Sequence, residues 1–383
     1  PPVNNYHLIN NAKNEEFFFQ TDLVYSKSSK LVQLKTIVDK KIIFPKNYPY
    51  TSSTTKILRD NFRELYKECK KIAELKKRDL IVDIGSNDGN LLSNFKGNHR
   101  VLGVTPENIG KIAIRKGINT LLRYFDDKTA NIILKRFGKA KLVTATNVFA
   151  HIDDVHAVMK NIIKILDKSG IFVSESHYLV SLIQTNQYDT IYHEHMRYYS
   201  LMSLNYLFKK YNLKIFHAKK ITTHGGSIRV YVSKNKNKKV SENYKKIFEF
   251  EKKFLNTRTF RSFSDKVVSS KIDLYAILKK IKLKNHKIFG VGAPSRAATL
   301  INYVGLNKDI IDCILEIQGS HKIGKYMPGT DIPIVDEKVI FKKKPEFLLL
   351  LSWHISESLI KTFRKKGFKG KFIIPLPTPR IIK

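Results

Sequence analysis

Residues 79–89 read DLIVDIGSNDG, a short apolar run that ends in a turn containing two glycines. Aliphatic residues followed by glycine, serine and asparagine are typical of a buried strand that stops at a tight turn. Helical periodicity precedes this stretch at residues 56–76, and a second strand-like run follows it at residues 101–104. Strand and helix patterns continue to alternate as far as residue 175. The alternation predicts an α/β domain with a parallel sheet.

A second alternating pattern begins at residues 287–293, KIFGVGA, and continues to residue 375. It predicts a second α/β domain with Rossmann-like architecture. A lysine-rich stretch followed by long helical periodicity separates the two patterns and predicts an exposed loop with a connecting helix. The start of the chain has no strong period, which predicts a small lobe of short strands and loops. The expected division is 1–55, 56–232, 233–286 and 287–383.

Composition excludes several classes of protein. The chain has 383 residues, of which 42% are hydrophobic, so disorder of the whole chain is excluded. Apolar runs fall far short of the roughly 20 residues that cross a bilayer, and we expect no membrane span. The two cysteines, Cys69 and Cys313, cannot build a disulfide framework. We therefore expect a reducing compartment and a cytoplasmic protein; the oligomeric state is open.

The net charge of +37 comes from 70 Lys and Arg residues against 33 Asp and Glu residues. A field of this sign attracts nucleic acid, anionic lipid or phosphorylated ligands. Most of the cations are lysine, however, whereas nucleic-acid surfaces prefer arginine for bidentate contacts. The richness in lysine, asparagine and isoleucine also resembles the drift of an AT-rich genome. Both a compositional bias and a functional surface for RNA or another polyanion therefore remain open.

The first glycine turn has the order strand, Asp83-x-Gly85-x-x-x-Gly89, helix. Glycines in this position let a ligand approach the main chain where a side chain would collide. The spacing differs from the dinucleotide fingerprint and fits the first loop of Rossmann-like methyltransferases, which bind S-adenosylmethionine. A tight strand-to-helix turn without a ligand is the alternative. Such methyltransferases usually place an acid at the end of the second strand, where this chain has Thr105.

The densest polar cluster is residues 188–199, YDTIYHEHMRYY, where two histidines, a glutamate and four tyrosines fall within twelve positions. A histidine beside a carboxylate can transfer a proton near neutral pH, and tyrosine hydroxyls can hydrogen-bond an enolate. A zinc site containing His193 and His195, completed by His177 or His151, is an alternative, although it lacks the helical H-E-x-x-H spacing. A satisfied polar core is the third interpretation.

Seven blocks of sequence, spread over the chain, share a resemblance to one family. They are NYPYTSS at 47–53, IGSNDG at 84–89, NVFAHI at 147–152, YHEH at 192–195, HGGSIRV at 224–230, GVGAP at 290–294 and PLPTPR at 375–380. In this order they resemble the sugar C-methyltransferases that act on nucleotide-linked keto-deoxysugars. The resemblance implies a class I methyltransferase domain, a C-terminal Rossmann-like domain and S-adenosylmethionine as the cofactor.

The resemblance implies transfer of a methyl group to the sugar carbon alpha to a ketone, expected at C3 of a 4-keto-deoxysugar. A base removes the acidified proton and hydrogen-bond donors hold the enolate oxygen. By similarity, His195 is the base and Tyr192 contacts the ketone or enolate. The other catalytic assignments are Glu194 and His151, which orient the sugar, and Tyr50, a lid residue for which Tyr48 is the alternative. The implied cofactor-binding residues are Asp83, Gly85, Ser86, Asn87, Gly89, Thr105 and Asn147.

The chain departs from the family at several positions. A family Cys-x-x-Cys pair aligns with Ser26 and Ser29, so we expect no structural zinc and no metal site. Thr105 in place of the ribose-binding acid would weaken cofactor binding unless Glu107 substitutes. The glycine turn at 290–296 lacks a third glycine, and either holds the sugar nucleotide or only packs. With the charge, these departures support a second hypothesis: a degenerate methyltransferase kept as a basic structural or RNA-binding component of an assembly such as a ribosome, possible also in an organelle matrix.

Overall fold

The computed structural model describes residues 2–4, 6, 17–43, 51–53 and 55–383. Its internal contacts divide the chain into two compact units. We name each unit after its main sheet. The seven-stranded unit comprises Leu23–Val180 and Met196–Phe254. The six-stranded unit comprises Pro1–Asp22, Ser181–His195 and Leu255–Lys383. This grouping differs from the four-part division expected from the sequence, since residues that are far apart along the chain belong to the same unit.

The seven-stranded unit alternates strands and helices along most of its length. Its strands are β1 (Leu23–Tyr25), β2 (Val32–Leu34), β3 (Leu80–Ile84), β4 (Arg100–Val104), β5 (Asn119–Leu121), β6 (Ala140–Thr146), β7 (Leu166–His177), β8 (Arg197–Tyr198), β9 (Lys214–Ile221) and β10 (Ser227–Ser233). Its helices are α1 (Lys40–Ile43), α2 (Lys56–Ile72), α3 (Asn90–Ser93), α4 (Gly110–Arg115), α5 (Asp127–Phe137), α6 (Val155–Ile165), α7 (Leu179–Gln184, which continues into the other unit), α8 (Leu201–Lys209) and α9 (Glu242–Phe254).

The main sheet of this unit has the strand order β5-β4-β3-β6-β7-β10-β9. The strands from β5 to β7 pair in parallel, whereas β10 runs antiparallel to both β7 and β9. The α/β class is therefore confirmed, but the sheet is mixed where a wholly parallel sheet was expected. The cause is the short connection at residues 222–226, since neighbouring strands joined by so few residues can only pair antiparallel.

Local sequence explains the central elements of this sheet. Every residue of β3 is buried, as expected for a parallel strand covered on both faces. Helix α2 begins where the side chain of Thr55 accepts a hydrogen bond from the backbone N–H of Leu58. The buried residues Leu58, Phe62 and Leu65 recur at helical spacing and form the face that packs. The strand and helix predicted around the first glycine turn are thus both present.

A small second sheet in the same unit has the order β1-β2-β8. Strands β1 and β2 form a hairpin whose turn contains Ser26 and Ser29, the positions of the missing cysteines. The turn is closed by backbone hydrogen bonds from Ser26 to Leu31 and from Lys30 to Ser26, each 2.9 Å long. Strand β2 also pairs with β8. Backbone pairing therefore anchors the hairpin that contains Ser26 and Ser29.

The six-stranded unit contains the second α/β pattern. Its strands are β11 (Ile288–Val291), β12 (Cys313–Glu316), β13 (Ile334–Asp336), β14 (Phe347–Leu350), β15 (Lys371–Ile374) and β16 (Arg380–Ile382). Its helices are α10 (Thr257–Lys282), α11 (Ser295–Val304), α12 (Val339–Lys343) and α13 (Ser356–Lys365). The strand order is β13-β12-β11-β14-β15-β16, and only β16 is antiparallel to its neighbour. This topology matches the Rossmann-like expectation.

Two helices, α9 and α10, occupy the segment for which one connecting helix was expected. They are separated at Asn256, whose side chain accepts a hydrogen bond from the backbone N–H of Thr259 and so starts α10. None of the helices in the described residues combines the length and the apolar character needed to cross a membrane.

Candidate functional site

The glycine turn after β3 requires glycine at both ends. Gly85 and Gly89 have φ values of +73° and +76°, in the left-handed region that other residues rarely adopt. A Cβ atom on Gly85 would collide with the side chain of Val148, and one on Gly89 would lie 2.8 Å from the Cβ of Ala113. A side chain at either position would therefore be both strained and in collision with its neighbours.

Asp83 and Ser86 frame this turn with buried polar atoms. The Asp83 carboxylate accepts a hydrogen bond of 2.6 Å from the hydroxyl of Thr144, and burial raises the pKa of Asp83 to about 7. The Oγ atom of Ser86 is buried and has no hydrogen-bond partner among the described residues. An unsatisfied buried hydroxyl is costly, so this atom marks a place where a ligand atom is expected.

The segment just before α2 packs on the same turn, a relationship that sequence reasoning missed. The backbone N–H of Ser52 donates to Asn87 Oδ1 at 3.0 Å, and the Ser52 hydroxyl donates to Asp88 at 2.5 Å. Burial opposes ionisation of Asp88, yet hydrogen bonds from Ser52 and from Lys116 hold its pKa below the usual value. Tyr50 and Tyr48 lie outside the described residues, so the lid assignment stays a prediction.

The end of β4 combines a buried threonine with an acid. Thr105 is 1% exposed, and its hydroxyl donates a hydrogen bond to the carboxylate of Glu107. This contact ties Glu107 to the strand end, where the family carries its ribose-binding acid. The substitution of Glu107 for that acid stays a prediction.

Asn147 follows β6 with a left-handed backbone, φ +56°. Its N–H donates to the carbonyl oxygen of Glu175 at 2.7 Å, and its buried Oδ1 atom has no hydrogen-bond partner among the described residues. His151 ends the short 3-10 helix Phe149–His151 that comes next and is half-buried. Both residues therefore lie just beyond the carboxyl end of a central parallel strand, the edge at which α/β sheets bind ligands.

A buried network supports this edge from within the sheet. Arg229 on β10 donates to Glu175 at 2.9 Å, to Glu68 at 2.6 Å and to Asn61 at 2.7 Å. Both Arg229 and Glu175 are fully buried, so each charge depends on the other for its stabilisation. Because the backbone of Glu175 also accepts the N–H of Asn147, this network helps to hold the left-handed turn.

The residues predicted to transfer the proton lie in the six-stranded unit. Nδ1 of His195 lies 2.9 Å from the carbonyl oxygen of Thr190, and its Nε2 lies 3.3 Å from the hydroxyl of Tyr192. A carbonyl only accepts hydrogen bonds, so Nδ1 carries the hydrogen and Nε2 of the neutral ring is the basic atom. The two rings are 4.2 Å apart at an angle of 32°. Histidine and tyrosine thus form one pair suited to proton transfer.

Glu194 and His193, which flank this pair, have different environments. The carboxyl group of Glu194 is 3% exposed and accepts a hydrogen bond from the side-chain amide of Asn4. His193 Nε2 lies 2.9 Å from the carbonyl oxygen of Phe19, and the two rings meet edge to face. In the described part of the chain no group of three or more His, Cys, Asp or Glu side chains could hold a metal ion. The contacts of His193 with Phe19 are a hydrogen bond and a ring contact.

Asp189 shows that part of the polar cluster is structural. It is fully buried and accepts two hydrogen bonds of 2.7 Å from the guanidinium of Arg296 and one of 2.7 Å from the indole of Trp353. This bidentate pair anchors the segment 181–195 to helix α11 and to the residues after β14. The polar-core interpretation therefore holds for Asp189, whereas His195 and Tyr192 keep the geometry of reactive groups.

The structure places the predicted residues in two groups. Tyr192, Glu194 and His195 belong to the six-stranded unit. The seven-stranded unit contains His151 and the predicted cofactor-binding residues Asp83, Gly85, Ser86, Asn87, Gly89, Thr105 and Asn147. Within that unit, the predicted cofactor-binding residues lie at the carboxyl ends of the adjacent strands β3, β4 and β6.

Two family models match the chain. A methyltransferase-domain model matches residues 57–218, and a model of the C-methyltransferase C-terminal domain matches residues 222–377. The C-methyltransferase NovU of Streptomyces niveus is 31% identical over 375 residues, which is 96% of this chain and 88% of NovU.

Solved methyltransferases are similar to part of the chain. An S-adenosylmethionine-dependent methyltransferase from Clostridium acetobutylicum is 16% identical, with a TM-score of 0.36 over 47% of this chain and 92% of that protein. Magnesium protoporphyrin IX methyltransferase from Synechocystis is 12% identical, with a TM-score of 0.36 over 46% of this chain and 79% of that protein.

The sheet order, the glycine turn and the matched domains together define an S-adenosylmethionine-dependent methyltransferase. More specifically, the chain belongs to the C-methyltransferase family, as the match to NovU and to the C-terminal family model shows. The predicted enzyme class, fold class and cofactor are thereby confirmed.

The residues at the sheet edge fit this cofactor. The buried Ser86 Oγ and Asn147 Oδ1 atoms have hydrogen-bonding capacity that no described residue uses. Glu107, tied to Thr105, supplies a carboxylate of the kind that binds ribose hydroxyls. A serine hydroxyl, an amide oxygen and a carboxylate can bond the hydroxyl and ammonium groups of an adenosine carrying an amino acid.

Proposed function

We propose that the protein methylates the carbon alpha to the ketone, C3, of a nucleotide-linked 4-keto-deoxysugar. The observation that carries the proposal is the arrangement of His195, whose Nδ1 is held by the Thr190 carbonyl while Nε2 is the basic atom next to the Tyr192 hydroxyl. A base and a hydroxyl donor in one pair are the groups that enolate formation requires. The blocks of sequence shared with sugar C-methyltransferases support the choice of substrate.

In the proposed reaction, His195 Nε2 accepts the C3 proton of the sugar. The electrons of the broken C–H bond form the C3–C4 double bond of the enolate, and the carbonyl electrons move onto the oxygen. Tyr192 donates a hydrogen bond to that oxygen, which lowers the energy of the enolate. S-adenosylmethionine, when bound, supplies the electrophilic methyl group that the enolate carbon takes up.

The remaining residues bind and orient. Glu194 is a buried carboxylate suited to accept a hydrogen bond from a sugar hydroxyl, and His151 is proposed to orient the same sugar. For the cofactor, we assign the glycine turn with Asp83, Ser86 and Asn87 to the amino-acid part. Glu107 and Thr105 are assigned to the ribose. Asn147 is assigned to the part of the cofactor that lies at the end of β6. Tyr50 keeps its proposed role as a lid.

Turnover of defined substrates tests the proposal. The purified protein is incubated with S-adenosylmethionine and a panel of nucleotide-linked sugars with and without a 4-keto group, and products are detected by mass. We expect a gain of one methyl group on a 4-keto-deoxysugar only. Absence of methylation on every keto sugar, with S-adenosylmethionine bound, would contradict the assigned substrate class.

Hydrogen exchange isolates the proton-transfer step. In deuterium oxide without S-adenosylmethionine, the wild type should exchange the C3 proton of the keto sugar, because enolate formation precedes methyl transfer. His195→Ala should abolish this exchange. His193→Gln is the matched control, since His193 contacts Phe19 and has no proposed part in the chemistry. Equal exchange in both variants would remove His195 from the reaction.

A second candidate function, contact with RNA or another polyanion, is favoured by one surface feature. A cleft of about 400 Å³ lies at the opposite, amino-terminal edge of the seven-stranded sheet. It is lined by Lys76, Arg78, Asp79, Leu80, Arg100, Lys139, Lys141, Asp167 and Ser169. Both carboxylates accept hydrogen bonds from nearby backbone N–H groups, while Lys139 and Lys141 donate only to neutral oxygens. The lining has five cationic side chains and two carboxylates, so the cleft has a net positive charge.

Fluorescence anisotropy with labelled single-stranded RNA at several salt concentrations tests this second function. The variant with Lys139→Glu and Lys141→Glu should bind about tenfold more weakly and show a shallower salt dependence. The variant with Lys342→Glu and Lys343→Glu, which changes the exposed end of α12 by the same charge, should bind like the wild type. Equal weakening in both variants would assign the charge to composition.

A further inference from the structure

The glycine turn of the six-stranded sheet is occupied by the protein itself. The N–H of Gly292 donates to the carbonyl of Leu315 at 2.9 Å, and the N–H of Ala293 donates to the carboxylate of Glu316 at 2.6 Å. The carbonyl of Ala293 accepts hydrogen bonds from Lys322 and from Tyr6. Glu316 stands at the end of the second strand, where a dinucleotide fold holds its ribose. Here that acid bonds the turn instead.

Residues on both sides of Asn4 are fixed in the six-stranded unit. Val3 is 4% exposed and belongs to the hydrophobic core of the six-stranded unit. The Tyr6 hydroxyl donates to Ala293 at 3.0 Å, and the ammonium group of Lys322 lies 5.4 Å from the centre of the Tyr6 ring. Asn4 lies between these two anchored residues, so its side chain has a defined position.

Asn4 connects this turn to Glu194. The hydroxyl of Ser295, the first residue of α11, donates to Asn4 Oδ1 at 3.1 Å. The amide nitrogen of Asn4 donates to Glu194 Oε1 at 2.5 Å. A carboxylate only accepts hydrogen bonds, so the amide nitrogen of Asn4 must face Glu194, and the amide oxygen is left to accept from the Ser295 hydroxyl.

We propose that Asn4 is a positioning residue that holds the Glu194 carboxylate in the orientation needed to bind the sugar. The inference rests on the proposed function, in which Glu194 contacts the substrate. The physical reason is that a neutral amide fixes one carboxylate oxygen and leaves the negative charge in place. A lysine or an arginine at the same position would neutralise that charge. The residues around the glycine turn at 290–296 thus hold Asn4, and Asn4 orients the carboxylate that is proposed to bind the substrate.

Steady-state kinetics of single variants provide the first test. Asn4→Ala should raise KM for the keto sugar about 10- to 100-fold, the effect of losing a hydrogen bond to a charged group. The dissociation constant for S-adenosylmethionine, measured by calorimetry, should stay within about twofold of the wild type. Tyr6→Phe is the matched control, because it removes the other polar contact of the same segment and leaves Asn4 in place. We expect little change in KM for Tyr6→Phe.

Two further variants distinguish positioning from a merely structural role. Asn4→Asp keeps the acceptor for Ser295 but sets a carboxylate against Glu194, so its KM should be at least as high as that of Asn4→Ala. In the background of Glu194→Gln, Asn4→Ala should have almost no additional effect, since Asn4 acts through that carboxylate. Thermal unfolding of each variant identifies any that fail to fold, and Asn4→Asp then replaces Asn4→Ala.

The outcomes separate this inference from the proposed function. If the wild type methylates a keto sugar and Asn4→Ala behaves like Tyr6→Phe, the role of Asn4 is wrong and the function stands. Additive effects of Asn4→Ala and Glu194→Gln would overturn the inference in the same way. If the wild type neither binds nor methylates any keto sugar in calorimetry and turnover, the proposed function fails and the positioning role fails with it.

Discussion

The Nε2 atom of His195 lies 3.3 Å from the hydroxyl oxygen of Tyr192. Because the other ring nitrogen is bonded to the Thr190 carbonyl, the tautomer is defined and the basic atom is known. The pair therefore unites a proton acceptor with a hydroxyl donor three residues apart. This relationship gives the C-methyltransferase assignment a chemical basis that the fold alone does not supply.

His195→Ala should lower kcat by about 10²- to 10⁴-fold, the usual contribution of a general base. Binding of S-adenosylmethionine should be nearly unchanged, since the cofactor-binding residues are in the other unit. Stopped-time assays of methylated product and calorimetry with the cofactor measure the two quantities. Turnover equal to that of the wild type would show that another group removes the proton.

Glu107→Gln should weaken binding of S-adenosylmethionine by about 10- to 100-fold if this carboxylate accepts the ribose hydroxyls. Thr105→Val, which removes the hydroxyl that ties Glu107 to the strand end, should have a smaller effect of the same sign. Titration calorimetry with S-adenosylmethionine and S-adenosylhomocysteine provides the affinities. An unchanged affinity for Glu107→Gln would mean that the ribose has a different partner.

Gly85→Ala should lose both stability and cofactor binding, because its φ is +73° and the new methyl group would collide with Val148. Gly305→Ala is the matched control, since Gly305 is also left-handed, with φ +82°, but has open space around its Cβ position. We expect Gly85→Ala to cost about 1–3 kcal/mol more than the control. Urea unfolding measures this difference, and adding Val148→Ala should recover part of it.

Arg229→Ala should reduce the free energy of unfolding by about 3–5 kcal/mol, because it leaves Glu175 charged and buried without its partner. Arg229→Met fills the same space with an apolar side chain. The double variant combines Arg229→Met with Glu175→Gln and so removes both charges. The double variant should be more stable than Arg229→Ala. Chemical denaturation tests this order, and a loss below about 1 kcal/mol for Arg229→Ala would show that water reaches the site.

The pH dependence of stability should report on Asp83. Burial raises the pKa of Asp83 to about 7 in the folded state, whereas the pKa of an aspartate in the unfolded chain is about 3.9. The folded chain therefore binds this proton more tightly, and its contribution to stability is complete below about pH 4 and is lost as the pH rises to about 7. Asp83→Asn should flatten this decline in urea unfolding, whereas the exposed Asp273→Asn should not.

Local sequence was sufficient for the central elements. The run LIVDI at β3 is buried along its whole length, and the glycines that follow it adopt left-handed backbone. These features depend on residues within one strand and one turn, so composition and spacing predict them. The same reasoning found His195 and Tyr192, whose side chains meet because they are three positions apart on one turn.

Contacts between distant parts of the chain could not be predicted in this way. Asn4 and Glu194 are 190 positions apart, and Ser52 and Asp88 are 36 apart, yet each pair shares a hydrogen bond. The antiparallel position of β10 is also a property of the assembled sheet. No local periodicity encodes which polar groups meet after folding, since burial of the apolar faces brings them together.

The amino-acid sequence by itself therefore determined the α/β class, the glycine turn after β3 and the histidine–tyrosine pair, because these are short-range patterns. Only the tertiary structure decided that the turn of the second sheet holds the chain's own Asn4 and Tyr6. It also decided that Glu107 is tied to the end of β4. Hydrogen-bond partners of buried polar groups are chosen by packing, which must satisfy each of them within a few ångströms.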